Sequence, residues 1–254
     1  MKTVASKDNA LFKMLSKIES SSRERKTSKK ALLDGVHLVS SCIDSGMAPE
    51  LVVVSESAIG NKEIIDLVEG HEHVLMSDHL FGRISPLKCP TGILALIAIP
   101  SEEPDASPEC CIFLEAIQDP GNMGAMLRAA AASGATDAYV SAGSADPWSP
   151  KVLRAGMGAH FGIRIHVDSD IARAMSDFEG TTIALTLEAE CSIFDLDLKG
   201  KIGFVIGNEG SGISDEITSI AKIRARIPMP GRIESLNAAQ AASICLFERV
   251  RQKT

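Results

Sequence analysis

The sequence predicts an α/β protein in two parts: a small α/β domain over residues 1–99 and a larger parallel-sheet domain over 110–254, joined by a linker at 100–109. Three observations carry this prediction. The stretch "PSEEPDASPE" (100–109) holds three prolines and four acids and little that could enter a core, so it separates rather than packs. Beyond it, short apolar β-type runs alternate with helical patterns almost to the C-terminus, as in a parallel sheet covered on both faces. The chain's 254 residues, 45% of them apolar, suffice for one large or two ordinary domains with packed cores.

In the first part, "DNALFKMLSKIESS" sets Leu11, Met14, Leu15 and Ile18 at helical spacing, and "ALLDGVHLVSSCIDSG" reads as a second helix closed by Gly46. "PELVVVSE" is a strand of the buried type. Next come "NKEIIDLVEG" as helix, "HEHVLMS" as strand, "SDHLFGRIS" as a short helix and "TGILALIAI" as strand.

In the second part the alternation is denser. Strands are read at "CCIFLEAIQ", "DAYVSA", "GIRIHVD", "TTIALTLE", "KIGFVIG" and "IRARIPM". Helices are read at "MGAMLRAAAASG", "SPKVLRAGMGA", "DIARAMSDFEG", "SDEITSIA" and "LNAAQAASICLFERVRQK". Ligands of such sheets bind beyond the carboxyl ends of the strands, so chemistry is sought in the loops that follow strands.

Composition narrows the function. The N-terminus has no continuous apolar segment of the secretory kind, and "GILALIAIP" is far too short to span a membrane, so a cytoplasmic soluble protein is expected. Six cysteines without CxxC spacing read as reduced, mostly buried thiols. His71, His73 and His79 lack metal-motif spacing and read as surface histidines; no metal is expected. A net charge of −7 argues against a surface that is wholly a nucleic-acid mould. Locally, "RERKTSKK" gathers Arg23, Arg25, Lys26, Lys29 and Lys30, which is either a solvated face or a set of phosphate contacts.

Three loops carry more polar chemistry than a turn requires. In "QDPGNMGAMLRAAAASGA" (118–135), Pro120-Gly121 turns, Asn122 is suited to cap the helix, and Arg128 stands in an apolar helix where charge needs a partner or a task. In "FVIGNEGSGIS" (204–214), Gly207, Gly210 and Gly212 allow positive φ and close approach of a ligand to backbone. This loop has no Gly-Lys-Ser/Thr and no G-x-G-x-x-G, and Glu209 would repel a pyrophosphate, which favours a neutral, cationic or hydroxyl-bearing ligand. In "IPMPGRIESLNAAQAASICLFE" (227–248), Glu234, Ser235 and Asn237 crowd a helix start that only one of them can cap.

These motifs, with "SPKVLRAGMGA", resemble in order the motifs of the SpoU (TrmH-like) branch of the SPOUT RNA 2′-O-ribose methyltransferases. The first 99 residues are similar to the ribosomal protein L30e type of RNA substrate-binding domain carried by many of these enzymes. The resemblance implies a SpoU-type methyltransferase domain over 110–254 whose C-terminal segment threads a trefoil knot. It also implies a homodimer that binds S-adenosylmethionine and transfers its methyl group to a ribose 2′-hydroxyl of structured RNA, with rRNA favoured over tRNA. By the same resemblance, Gly207, Ile227, Met229 and Leu236 hold the cofactor, while Asn122, Arg128, Glu209, Ser235 and Asn237 form the reaction site. The basic cluster becomes an RNA-contacting surface.

In the family Arg128 is the proposed base; a guanidinium is effectively always protonated, so binding phosphate and polarising the hydroxyl is the easier role. The chain departs from the family pattern at Ala238, Ala239 and Ala241, where β-branched residues are common, and at Gly156, where Ser is common. Two other classes compete: a non-catalytic RNA-binding protein that kept the fold, and a nucleotide-dependent oxidoreductase. The intact polar set speaks against the first and the missing dinucleotide fingerprint against the second.

Overall fold

The computed structural model describes residues 3–101 and 107–254. The chain folds as two compact units, Met1–Ser101 with Trp148–Phe161, and Glu102–Pro147 with Gly162–Thr254.

The first unit runs β1 (Thr3–Val4), α1 (Ala10–Ser20), α2 (Ser22–Ser28), β2 (Lys30–Asp34), α3 (Val36–Asp44), β3 (Leu51–Ser55), α4 (Lys62–Val68), β4 (His73–Met76), α5 (Asp78–Ile84) and β5 (Ile93–Ala98). Its sheet has the order β1-β4-β3-β5-β2, with β5 antiparallel to both of its neighbours. The helical spacing expected of α1 buries Leu15 and Ile18 against Val53, Met76, Phe81 and Leu94. "ALLDGVHLVSSCIDSG" is not one helix. Ala31, Leu32 and Leu33 are buried in β2, paired with Ile97, Leu96 and Ala95 of β5, and Gly35 turns the chain at φ 105° into α3. A short apolar run does not distinguish strand from helix, and here the β5 partner decides.

The basic run is also split by the fold. Arg23, Arg25 and Lys26 lie on α2; Lys29 ends it in the left-handed conformation, and Lys30 opens β2, where it pairs with Glu50 at 2.5 Å. Arg25 is buried, and its Nη1 donates to the carbonyls of Ile18 at 2.6 Å and Glu19 at 2.8 Å. Those carbonyls belong to the last turn of α1, which leaves acceptors without helical partners. Arg25 is therefore a clamp on α1, and the expectation that it contacts RNA is corrected.

The second unit contains β6 (Cys110–Leu114), α6 (Pro120–Ala132) and β7 (Asp137–Ser141); α7 (Pro150–Gly156), next in the chain, packs on β2 in the first unit. The second unit continues with β8 (Arg164–Ser169), α8 (Ile171–Asp177), β9 (Thr181–Leu185), β10 (Ile202–Ile206), α9 (Asp215–Ile220), β11 (Ile223–Ala225) and α10 (Ala238–Lys253). Its six strands are all parallel, in the order β11-β9-β10-β6-β7-β8. The central strands β6 and β10 are buried throughout, which explains their unbroken apolar runs. From β6 the chain winds outward through β7 to β8, whereas β9, β10 and β11 lie on the other side. Between β6 and β10 the winding changes direction, and in α/β sheets a crevice opens beyond the carboxyl ends at such a point.

The strand expected over 223–229 ends its regular pairing at Ala225, with one further bridge from Arg226 to Ser192. Its neighbour β9 stops at Leu185, and Pro228 and Pro230 have no N–H to donate. Cys42, Cys89, Cys110, Cys111, Cys191 and Cys245 are free thiols, and four of them are buried. His71 and His73 are half-buried and His79 is exposed; among the described residues no cluster could hold a metal ion. No described helix is long and apolar enough to cross a membrane.

Candidate active site

The loop after β6 starts α6 three residues earlier than a cap at Asn122 would allow. Pro120 occupies the first turn, where its missing N–H costs nothing, and Asp119 is the cap, with Oδ1 accepting from Asn122 N at 2.8 Å. The Asn122 side chain is thereby left for other work. Its Nδ2 donates to Glu209 Oε1 at 3.0 Å, and its Oδ1 accepts from Asn237 Nδ2 at 2.8 Å.

Glu209 is exposed, yet its carboxylate is held by three donors. Besides Asn122, the backbone N–H groups of Gln118 and Asp119 each donate to it at 3.0 Å. Partial burial works against its charge, but the bonds from Asn122, Gln118 and Asp119 together outweigh it and hold the carboxyl below its ordinary value.

Asn208 locks the loop that carries Glu209. Its backbone exchanges two 2.9 Å hydrogen bonds with Gly212, and its Oδ1 accepts from Gly210 N at 2.8 Å and Ser211 N at 3.0 Å. Its Nδ2 donates to Ala116 O at 2.8 Å, which ties the loop to the end of β6. Of the three glycines, Gly212 uses positive φ, at 72°, while Gly207 is needed for close approach: a Cβ there would lie 2.2 Å from the Gly212 carbonyl carbon.

In the third loop Asn237 is the cap of α10, its Oδ1 accepting from Ala239 N at 2.9 Å and Gln240 N at 3.3 Å. The helix thus begins at Ala238 rather than Leu236. Glu234 and Ser235 are exposed and make no hydrogen bond among the described residues. Arg128 is exposed on α6, flanked by buried Leu127 and Ala129, and has neither hydrogen bond nor ion pair among the described residues. Of the two readings of that charge, pairing with an acid does not occur among the described residues.

Beneath these loops lies a cavity of about 230 Å³ at the carboxyl ends of β9, β10 and β11. Its lining includes Gly207, Ile227, Met229 and Leu236, together with Glu209 and Ser235. Asn122 and Asn237 join this group through Glu209, whereas Arg128 is neither in the lining nor in the network. Leu185, Thr186 and Leu187 form another wall that the sequence reading missed, as it missed Asn208 and Arg226. The rule about loops after strands points at the end of "TTIALTLE", which the sequence offers only as a strand; Leu187 there is 57% exposed.

A model of the SpoU rRNA Methylase family matches residues 109–247, more than half of the sequence. The chain belongs to this family. Residues 9–95 match a model of the MRM3-like substrate binding domain. Along nearly its whole length the SpoU chain is similar to the 23S rRNA (guanosine(2553)-2′-O)-methyltransferase RlmP of Bacillus subtilis (strain 168), 29% identical over 251 residues, 97% of this chain and 98% of that protein. A 146-residue match, 36% identical, covers 56% of this chain and 59% of the 23S rRNA (guanosine-2′-O-)-methyltransferase RlmB of Xylella fastidiosa (strain 9a5c). Among solved structures, the SpoU methyltransferase AviRb from Streptomyces viridochromogenes in complex with AdoMet superposes with a TM-score of 0.89 at 25% identity, over 96% of this chain and 98% of that one. A structure described as an RNA 2′-O ribose methyltransferase gives 0.83 at 27% identity over 99% of both chains.

The cavity fits an adenosyl sulfonium. Leu185, Ile206 and Leu236 offer apolar surface to the body of such a molecule, Glu209 puts a carboxylate at the rim, and the Gly207 turn leaves backbone as a wall. The oxidoreductase alternative falls with the family assignment.

Proposed function

We propose that Asn122, Arg128, Glu209, Ser235 and Asn237 form the reaction site, and Gly207, Ile227, Met229 and Leu236 the cofactor wall, of an enzyme acting on rRNA. The chain is an S-adenosylmethionine-dependent RNA 2′-O-ribose methyltransferase. The observation that carries the site assignment is the Asn237–Asn122–Glu209 chain, which joins three loops above the cavity at the switch point of the sheet. Ribosomal RNA as substrate is supported by the relatives, RlmP and RlmB, both named 23S rRNA methyltransferases.

Bound S-adenosylmethionine supplies an electrophilic methyl group on a cationic sulfur. The protein's task is to align a ribose oxygen with that carbon and to ease loss of the hydroxyl proton. Glu209, already accepting three hydrogen bonds, serves as a fixed negative charge rather than as a base. Arg128, solvated and unpaired among the described residues, binds an RNA phosphate and polarises the 2′-hydroxyl. Ser235, exposed beside the cavity, offers a hydroxyl to the ribose.

The L30e-like domain of residues 1–99 binds the substrate, and Arg23, Lys26, Lys29 and Lys30 of its basic run contact phosphates. The same proposal includes the trefoil knot through the C-terminal segment, a homodimer, and a cytoplasmic location, which goes with an rRNA substrate. Ile233 and Phe247, large apolar side chains at 71% and 47% exposure, support burial against a second copy.

Mapping 2′-O-methylation in RNA from cells lacking this protein tests the reading. One 23S rRNA ribose is expected to lose its methyl group and regain it on complementation. Loss confined to tRNA would overturn the substrate assignment.

A further inference from the structure

The cavity wall carries two formal charges, Glu209 and Arg226. Glu209 is committed to its three donors on the α6 side. Arg226 differs in this respect. Its backbone is pinned, the N–H donating to Cys191 O at 2.9 Å and the carbonyl accepting from Ile193 N at 2.9 Å. Its side chain is exposed and makes no hydrogen bond or ion pair among the described residues. A guanidinium anchored at the strand end of a ligand cavity, with no partner among the described residues, is suited to a planar anion.

S-adenosylmethionine has one anionic group, the α-carboxylate of its methionyl end. We propose that Arg226 binds this carboxylate and so fixes the amino-acid end of the cofactor, leaving Glu209 to the reaction side of the cavity. The inference rests on the cofactor reading given above. Because Arg226 is exposed, the pairing is screened by water and salt and its contribution is moderate.

The test compares two ligands by titration calorimetry. S-adenosylhomocysteine keeps the carboxylate; 5′-methylthioadenosine keeps the adenosine and sulfur but has no amino-acid end. Arg226→Gln is expected to weaken S-adenosylhomocysteine binding about tenfold, as loss of a hydrogen bond between charged groups would, while methylthioadenosine binding stays unchanged. Arg226→Lys should recover part of the loss, and melting temperatures check that both variants fold. Equal loss for the two ligands would overturn the proposal by making Arg226 a support of the cavity. No loss for either would also overturn it, and weaker RNA binding in that variant would reassign Arg226 to a phosphate. If the wild-type protein binds neither ligand, the cofactor reading itself fails and this proposal with it.

Discussion

Asn237 donates from Nδ2 to Asn122 Oδ1 at 2.8 Å, joining the cap of α10 to the first turn of α6 across 115 positions of sequence. The direction of that bond follows from its neighbours. Glu209 can only accept, so the Asn122 amide must turn its Nδ2 to the carboxylate, and its oxygen is left for Asn237. Asn237 in turn spends its own oxygen on the backbone N–H groups of Ala239 and Gln240. Two helices and the glycine loop are thereby held in one arrangement by a chain in which each amide has a single workable orientation.

Asn237→Asp separates the capping role from the network. An aspartate caps as well as an asparagine, so thermal stability should change by only about 0.5 kcal/mol. It cannot donate, however, and two carboxylates would then compete for the N–H groups of Asn122. Methyl transfer should fall about tenfold, the scale of one lost hydrogen bond next to charge. Asn237→Ala removes both functions and should cost about 1 kcal/mol of stability in addition. Melting curves and single-turnover rates on the two variants measure the two effects.

Arg128→Ala addresses the reaction itself. The side chain is exposed and unpaired among the described residues, so its removal should leave the melting temperature within experimental error. Methyl transfer should fall by about a hundredfold or more, the usual effect of removing a group that stabilises developing charge. Calorimetry with S-adenosylhomocysteine should show cofactor affinity nearly unchanged. Retained activity would remove Arg128 from the proposed reaction site.

What the sequence made legible was local. The buried runs of β6 and β10, the alternation that makes the sheet parallel, and the three polar loops are each written in a few consecutive residues. β2 was misread because Ala31, Leu32 and Leu33 are three apolar residues with no period to fix their conformation, and the decision lies in β5, over sixty positions away. Asn122 was assigned a cap that Asp119 provides; the Pro120 signal was present, since proline favours the first helical position. Arg25 could not be told from its basic neighbours, because only the folded turn shows that the carbonyls of Ile18 and Glu19 need it. Leu185 to Leu187 joined the cavity through sheet order, which no spacing encodes.

Gly207→Ala tests the close approach beneath Glu209. The added Cβ would meet three backbone atoms of Gly212 and Ile213 at 2.2 to 2.3 Å, and none of them belongs to a side chain that could swing aside. The loop must shift, at about 1–3 kcal/mol, and the Asn208 bonds to Gly210, Ser211 and Gly212 shift with it. Cofactor affinity should drop sharply. Gly210→Ala provides the control: the nearest atom to its added Cβ, Asn208 Oδ1, is 3.5 Å away, an ordinary contact, so stability should hold within about 0.5 kcal/mol. Calorimetry on the pair would contradict this account if both alanines bind S-adenosylhomocysteine equally well.

Asp137 gives the protein a predictable acid response. It is fully buried at the start of β7, at the opposite end of the parallel sheet from the cavity, and accepts from Arg164 Nη2 at 2.8 Å, Arg164 Nε at 3.0 Å and Thr136 Oγ1 at 2.7 Å. His166 Nε2 lies 2.8 Å from its Oδ1. Burial opposes the charge, but the bonds from His166, Arg164 and Thr136 outweigh it and hold the carboxyl well below the usual carboxylate range. The folded value is thus below the unfolded one, about 3.9. Stability from this group is fully present above the unfolded value and is lost as pH falls toward the folded value. Asp137→Asn leaves Arg164 and His166 without their carboxylate and should cost about 3 kcal/mol at neutral pH. Below about pH 4 the difference from wild type should narrow, because the wild-type carboxylate loses its advantage there while the asparagine has none to lose. Urea unfolding of both proteins between pH 3 and 7 measures this, and a difference that widens toward low pH would contradict the assignment of a stabilising, ionised Asp137.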